Sequence, residues 1–229
     1  WGYDTGNGTN GVTADESGNV YVAGTRYNNK SVWKLDSSGS LVWDYDTGNS
    51  TQGVTLDAFG NVYVVGTRYN KKSVWKLNSS GVLQWDYDTN GTPTTGVFVD
   101  SSGNVYVSGN RSTSDPRLSV WKLNSSGVLQ WGYDTGNGTN GVTADESGNV
   151  YVAGWQSGNK SVWKLDSSGS LVWDYDTGGL ARKICCDSSG QVYIIGNITN
   201  SKSVWKLNSS GVLQWDWKTN DNPFDLALR

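Results

Sequence analysis

Histidine and methionine are absent from this sequence, cysteine occurs twice, proline three times, and glutamate only at Glu16 and Glu146. Without histidine, neither a Ser-His-Asp nor a Cys-His catalytic set can be assembled, and no His-rich metal site can form. The expectation is a chain that is not an enzyme and that carries no cofactor and no metal. Asp44 and Asp46 are a conceivable acid and base pair, but equivalent aspartates recur all along the chain, which marks structure. The Asp-x-Ser-Gly-Asn turns look like fragments of a calcium loop without a full ligand count. Cys185 and Cys186 are adjacent and read as small buried hydrophobes, because neighbouring strand residues point to opposite faces.

Long apolar runs are missing too. None approaches the roughly 20 residues that span a bilayer, so no membrane span is expected, and the first residues carry no basic-then-apolar signal segment. Charged residues make up 17% of the chain and the net charge is −3, which excludes the basic field of a nucleic-acid binder. The chain is expected to be soluble. Its start at Trp1, with no methionine anywhere, points to a mature product or a piece of something longer.

What the sequence has in quantity is glycine (30), tryptophan (13) and tyrosine (12), and their order is periodic. The string W-[DG]-[YW]-[DK]-T begins at Trp1, Trp43, Trp85, Trp131, Trp173 and Trp215, with spacings of 42, 42, 46, 42 and 42 residues. The repeats run 1–42, 43–84, 85–130, 131–172 and 173–214, with a partial sixth at 215–229, and are read as one domain. A period near 40 to 45 residues points to a solenoid, an array or a propeller. The local pattern is all strand: residues 11–15, 19–24, 30–36 and 41–47 are rich in Val, Tyr, Trp and Thr and bounded by Gly, Asn, Ser or Asp. No window has helical periodicity, so nothing supplies the crossovers of a parallel sheet. The expected fold is an all-β, five-bladed β-propeller with four antiparallel strands per blade and overlapping termini.

Stacking the repeats gives columns. Val12, Val54, Val97, Val142 and Ile184 are expected to be buried in the innermost strands, with Tyr21, Tyr63, Tyr106, Tyr151 and Tyr193 in the second. Trp33, Trp75, Trp121, Trp163 and Trp205 recur in the third strand and the Trp1 series in the fourth, as packing between blades. Lys34, Lys76, Lys122, Lys164 and Lys206 are expected to make ion pairs or cation–π contacts.

The blade motif, GNVYVAG followed by SVWKLDSSGSLVWDYDTG, resembles the bacterial β-propeller repeats of the SBBP type and, more loosely, the quinoprotein-like repeat. The resemblance covers the whole chain and implies the propeller fold. The cofactor and calcium ligands of quinoprotein dehydrogenases have no recognisable counterpart, so it implies none of their activity. Five blades in one chain are also similar to the tachylectin lectins, by blade number alone.

The termini duplicate parts that the full repeats already contain: Trp1–Thr5 reads as the end of a fourth strand and Phe224–Leu228 as a first strand. A monomer closed by one duplicate, with the other displaced, is the expectation, and strand exchange between chains is the alternative.

Differences between repeats are confined. Residues 1–24 equal 131–154 and residues 30–42 equal 160–172, whereas Thr25, Arg26, Tyr27 and Asn28 become Trp155, Gln156, Ser157 and Gly158. The other repeats carry TRYNKK, NRSTSDPRLS and NITNSK at this place, and the connection from fourth to first strand varies as well. Both loop sets emerge on the same face of an up-and-down propeller, while the turns of the opposite face hardly change. Loops on a rigid scaffold are where binding residues gather, so Arg26, Tyr27, Arg68, Tyr69, Arg111, Trp155 and Gln156 are the candidate ligand-binding residues. Flat aromatics beside amides and guanidinium groups suit a sugar, and five similar sites would add avidity. The expected function is therefore a multivalent, lectin-like module with glycans as partners. The alternative is a non-catalytic structural or protein-interaction propeller of a surface or virion protein; the location is left open among extracellular, cell-surface and virion-associated, and the source is expected to be bacterial or viral.

Overall fold

The computed structural model describes residues 1–90, 94–112, 116–155, 157–199, 202–221, 223 and 226, with the backbone alone at 198 and 199. Its elements follow from turn chemistry. In the first turn of each repeat an aspartate gathers the donors of its own loop: Asp15 Oδ1 accepts from the backbone N–H of Ser17 (3.0 Å) and of Asn19 (2.9 Å). Its Oδ2 accepts from the Asn19 amide (2.8 Å) and the Tyr21 hydroxyl (3.0 Å). Such a turn reverses the chain in few residues and locks the hairpin register. The Asn19 side chain, before the Ser17 and Asn19 backbone groups, holds the Asp15 carboxyl below the ordinary aspartate range.

Blade 1 comprises β1 (Thr9–Ala14), β2 (Val20–Tyr27), β3 (Lys30–Leu35) and β4 (Leu41–Tyr45). Blade 2 comprises β5 (Thr51–Leu56), β6 (Val62–Tyr69), β7 (Lys72–Leu77) and β8 (Leu83–Tyr87). Blade 3 comprises β9 (Thr94–Val99), β10 (Val105–Gly109), β11 (Val120–Leu123) and β12 (Leu129–Tyr133). Blade 4 comprises β13 (Thr139–Ala144), β14 (Val150–Gly154), β15 (Val162–Leu165) and β16 (Leu171–Tyr175). Blade 5 comprises β17 (Ala181–Cys186), β18 (Val192–Thr199), β19 (Lys202–Leu207) and β20 (Leu213–Trp217). Each blade is an antiparallel four-stranded meander in sequence order, so the chain is a five-bladed, all-β propeller. Among the described residues no helix is long and apolar enough to cross a membrane.

Consecutive blades pack face to face. Tyr21 and Val32 of blade 1 form one cluster with Val62, Val64, Trp75 and Leu77 of blade 2, and the same pairing recurs from blade 2 to 3, 3 to 4 and 4 to 5. The third-strand tryptophans are 1–2% exposed, and burying rings of that size supplies much of the hydrophobic stabilisation. The fourth-strand tryptophans reach forward one blade. The Nε1 of Trp43 donates to the Ser79 carbonyl (3.1 Å), and Trp85, Trp131 and Trp173 do the same to Ser125, Ser167 and Ser209. The glycine of each receiving turn has positive φ and no room for a Cβ under the ring, so Gly81, Gly127, Gly169 and Gly211 serve both the turn and the seat. Lys34, Lys76, Lys122, Lys164 and Lys206 lie 5.1–5.2 Å from the centroids of the second-strand tyrosines, so the cation–π alternative holds.

Two expectations need correction. Val12 is 70% exposed, unlike Val142 and Ile184 at 8%, because among the described residues no preceding sheet covers that side of blade 1 as blades 3 and 4 cover Val142 and Ile184. Trp1 and Trp215, at the two ends of their column, are 69% and 46% exposed: Trp1 is seated on the turn of blade 1 without belonging to a sheet, and among the described residues Trp215 has no following turn to sit on. Most of the expected strand at Phe224–Leu228 lies outside the described residues.

Candidate functional site

The diversified segments are built differently from free loops. In blades 1 and 2 the second strand continues to Tyr27 and Tyr69, which pair with Lys30 and Lys72 across two-residue turns. Both central residues of each turn are left-handed: Asn28 and Asn29 at φ 48° and 58°, Asn70 and Lys71 at 48° and 60°. That is the backbone of a type I′ hairpin, which asparagine tolerates better than most residues. Arg26, Tyr27, Arg68 and Tyr69 therefore stand on strand ends, and their backbone positions are held by ladder pairing.

Arg26 is clamped as well. Its Nε and Nη2 donate to Asp46 Oδ1 (2.7 Å) and Oδ2 (2.6 Å), a two-point fork, and Nη2 also donates to Asn29 Oδ1 (2.5 Å). Arg68 makes the same fork to Asp88 at 2.7 and 2.6 Å, and Arg111 forks onto Asp134. The arginine side-chain hydrogen bond, opposed by partial burial, holds each of Asp46, Asp88 and Asp134 below the ordinary aspartate range. These aspartates were not among the expected site residues; the signal was the second aspartate of the W-D-Y-D string, which follows the fourth strand on the same rim. Asp44, the other member of the conceivable acid and base pair, pairs with Lys30 at 2.6 Å.

Tyr27 and Tyr69 lie flat against Gly6 and Gly48, where a Cβ would sit 2.2 and 2.0 Å from the ring carbons. One ring face is covered in this way and the side chains are still 47% and 46% exposed. Trp155 is 50% exposed beside Gly138. Gln156 lies outside the described residues. On blades 1 to 4, then, the rim presents an aromatic or a guanidinium at or just past the end of the second strand, and blade 5 carries Asn197 in this stretch instead. These side chains sit on separate blades around the disc and do not converge on one pocket. The cavity near Tyr27, of about 280 Å³, is lined by Tyr3, Asp4, Lys30 and Trp33 but by none of the other candidates. The opposite rim consists of the Asp-centred turns, whose carboxylates are already engaged by their own loops.

Blade 3 departs from the pattern in a compensated way. Leu118 replaces the paired lysine and Gly132 replaces its aspartate, and a Cβ at Gly132 would lie 2.3 Å from Leu118 Cδ1. The ion pair has been exchanged for an apolar contact that needs the glycine.

The family of outer membrane protein assembly factor BamB matches residues 1–137. No curated protein matches the chain in sequence. Among solved structures, virginiamycin B lyase from Staphylococcus aureus superposes with a TM-score of 0.74 at 14% identity, covering 96% of this chain and 74% of that one. A streptogramin B lyase gives 0.70 at 17% identity, over 93% and 70%. A protein of unknown function from Bacteroides caccae gives 0.65 at 14% identity, over 96% and 84%. At these identities the likeness is one of fold. It nevertheless overturns the expectation that the chain is not an enzyme: two of these neighbours are lyases on a similar architecture, so the fold does not set the chain apart from enzymes. Nothing in these relatives supports carbohydrate binding or a viral source.

Proposed function

The chain belongs to the family of outer membrane protein assembly factor BamB, and from that premise we propose that it is a protein-interaction platform whose diversified rim receives a protein partner. The observation that carries this reading is the asymmetry of the two rims. Four substitutions separate repeat 1 from repeat 4, all at positions 25–28, where β2 ends and its hairpin turn begins in repeat 1. Tyrosine, tryptophan and arginine are the residue types that dominate binding energy at protein interfaces. Here they are pre-ordered, Tyr27 and Tyr69 by their glycine seats and the arginines by their forks, so little side-chain freedom is lost on binding. Spacing them around a disc suits a broad partner surface better than a small ligand, which needs a concave pocket that buries most of it.

The test is site-specific photo-cross-linking in the native host, with the cross-linker at Tyr27, Tyr69 or Trp155 and, as control, at Ser38 on the constant rim. A protein adduct common to the variable positions and missing at Ser38 is the expected result, followed by binding of the purified partner that weakens on Tyr69→Ala. Adducts at Ser38 alone would move the interface to the other rim. A glycan screen run in parallel is expected to be blank; binding lost on Trp155→Ala would replace this reading with a carbohydrate one.

A further inference from the structure

The innermost strands β1, β5, β9, β13 and β17 stand around one central cavity of about 620 Å³. Its lining comes from the halves of these strands nearest the diversified rim: residues 9–12 of β1, 52–54 of β5, 95–97 of β9, 140–142 of β13 and 183–184 of β17. The variable connection from fourth to first strand runs into these positions, ending in Asn10-Gly11, Gln52-Gly53, Thr95-Gly96 and Arg182-Lys183. None of the rim side chains at Tyr27, Tyr69 and Trp155 lines this cavity.

Most of the ring is engaged in structure. The second residue of an innermost strand reaches forward to the next one: Asn10 Nδ2 donates to the Thr51 carbonyl (2.8 Å), Thr95 Oγ1 to the Thr139 carbonyl (2.7 Å) and Asn140 Nδ2 to the Ala181 carbonyl (3.1 Å). The third residue is glycine in four blades. None of Gly11, Gly53, Gly96 and Gly141 has positive φ; crowding keeps them small, because a built Cβ lies 3.1–3.3 Å from the carbonyl oxygen of Gln52, Thr95, Asn140 or Arg182 on the next strand.

Two residues break this pattern, and both line the cavity. Gln52 stands where the forward-reaching asparagines stand in blades 1 and 4, and its side-chain amide has no hydrogen-bond partner among the described residues. Lys183 stands in the glycine column. It is exposed, and its ammonium makes neither a hydrogen bond nor an ion pair among the described residues. The described residues around the cavity include no aspartate or glutamate, so Lys183 is its one charge. Beside these groups the wall is aliphatic, from Val12, Val22, Val54, Val97, Val142 and Ile184.

A cleft of one sign with low-dielectric walls concentrates the field of its charge. A few placed polar groups against an apolar wall are also the composition of a small-molecule site, and such sites measure about 300–1,000 Å³. We propose that the central cavity binds a small organic acid bearing one carboxylate on an apolar body. The Lys183 ammonium and the Gln52 amide receive the carboxylate, and the valines and Ile184 receive the body. One cation balances one carboxylate, whereas a phosphate ester carries about −1.5 to −2 at pH 7 and leaves part of that charge unpaired. An inorganic anion has nothing to bury against the aliphatic wall. The site is separate from the rim surface assigned to a protein partner, and it stands or falls without that partner.

Two-dimensional NMR of the full chain, titrated in low-salt buffer, tests this with hexanoate and 4-phenylbutyrate as probes. Acetate serves as the carboxylate without the body and hexanamide as the uncharged analogue. Saturable binding of either acid is expected, with shifts centred on the Gln52 side-chain amide and the methyl groups of Val54, Val142 and Ile184. Hexanamide is expected to bind roughly 10- to 100-fold more weakly than hexanoate, the loss of a charge-assisted hydrogen bond, and acetate to bind more weakly because it buries almost no apolar surface. Lys183→Gln is expected to weaken hexanoate by the same roughly 10- to 100-fold with unchanged melting, and Gln52→Ala to weaken it less. A wild type on which neither acid saturates, equal affinity for hexanamide and hexanoate, or wild-type affinity in Lys183→Gln each overturns the proposal. So do shifts confined to the rim around Tyr27 and Tyr69.

Discussion

Replacing Gly81 by alanine separates two costs that the seat of Trp43 combines. Gly81 has φ +80°, and a Cβ built there lies 2.8 Å from Cδ2 of Trp43. The left-handed backbone costs an alanine roughly 1–2 kcal/mol. Forcing a methyl group into filled space costs about 1–3 kcal/mol more, so Gly81→Ala is expected to destabilise by about 2–5 kcal/mol. The control lies in the same blade: Gly60 has φ +74°, and its Cβ would meet only Ser79 Cβ, at an ordinary 3.6 Å. Gly60→Ala is therefore expected to show the backbone cost alone, roughly 1–2 kcal/mol. Urea unfolding followed by tryptophan fluorescence measures both, with the slope of each transition compared because repeat proteins can lose cooperativity. Trp43→Ala completes the cycle. With the ring gone, adding Gly81→Ala is expected to cost no more than Gly60→Ala does. Equal destabilisation by the two single glycine variants, or an undiminished cost in the Trp43→Ala background, would refute the seating of the fourth-strand tryptophans on these turns.

Three further outcomes follow from named groups. Thr51→Val removes the hydroxyl that joins blades 1 and 2 at a fully buried position, and is expected to cost about 1–3 kcal/mol with faster amide exchange at Gly24, whereas Thr9→Val, at an exposed position, leaves the urea midpoint of the monomer unchanged. Asp46, Asp88 and Asp134 are held below their ordinary range in the fold, so their contribution is complete above the unfolded value of about 3.9 and disappears as pH falls through the lower folded value. Urea midpoints are therefore expected to hold from neutrality to about pH 4 and to drop below it, and Arg26→Gln to lower the neutral midpoint only slightly, as for an exposed pair, while flattening the acid drop. Burial pushes the Cys185 thiol up to about 11 and raises Cys186 too, so a thiol-reactive dye at neutral pH is expected to label the native protein far more slowly than the urea-unfolded chain; equal rates would show that the edge of β17 is open.

The blade was legible in the chain before folding because its causes are local. An aspartate two and four residues ahead of the amides it accepts from, a glycine at the left-handed position and alternating Val, Tyr and Trp are sufficient to make a four-stranded meander, and repeating them makes five. The position of the diversified rim was legible for the same reason, since strand direction alternates and odd and even connections must fall on opposite faces. What the rim residues do was not. A one-dimensional pattern does not say that Arg26 reaches over β3 to Asp46, or that the segment ending in Tyr27 is strand, because both depend on partners 20 and 3 residues away brought together by pairing. Nor did the repeats foretell Val12 exposed to solvent while Val142 is buried. The surroundings of both residues are identical from 1–24 to 131–154, and only the presence or lack of a preceding blade tells them apart. Local sequence determined each blade, and which sheet packs against a given face, which no single repeat contains, decided that Val12 is exposed and Val142 buried.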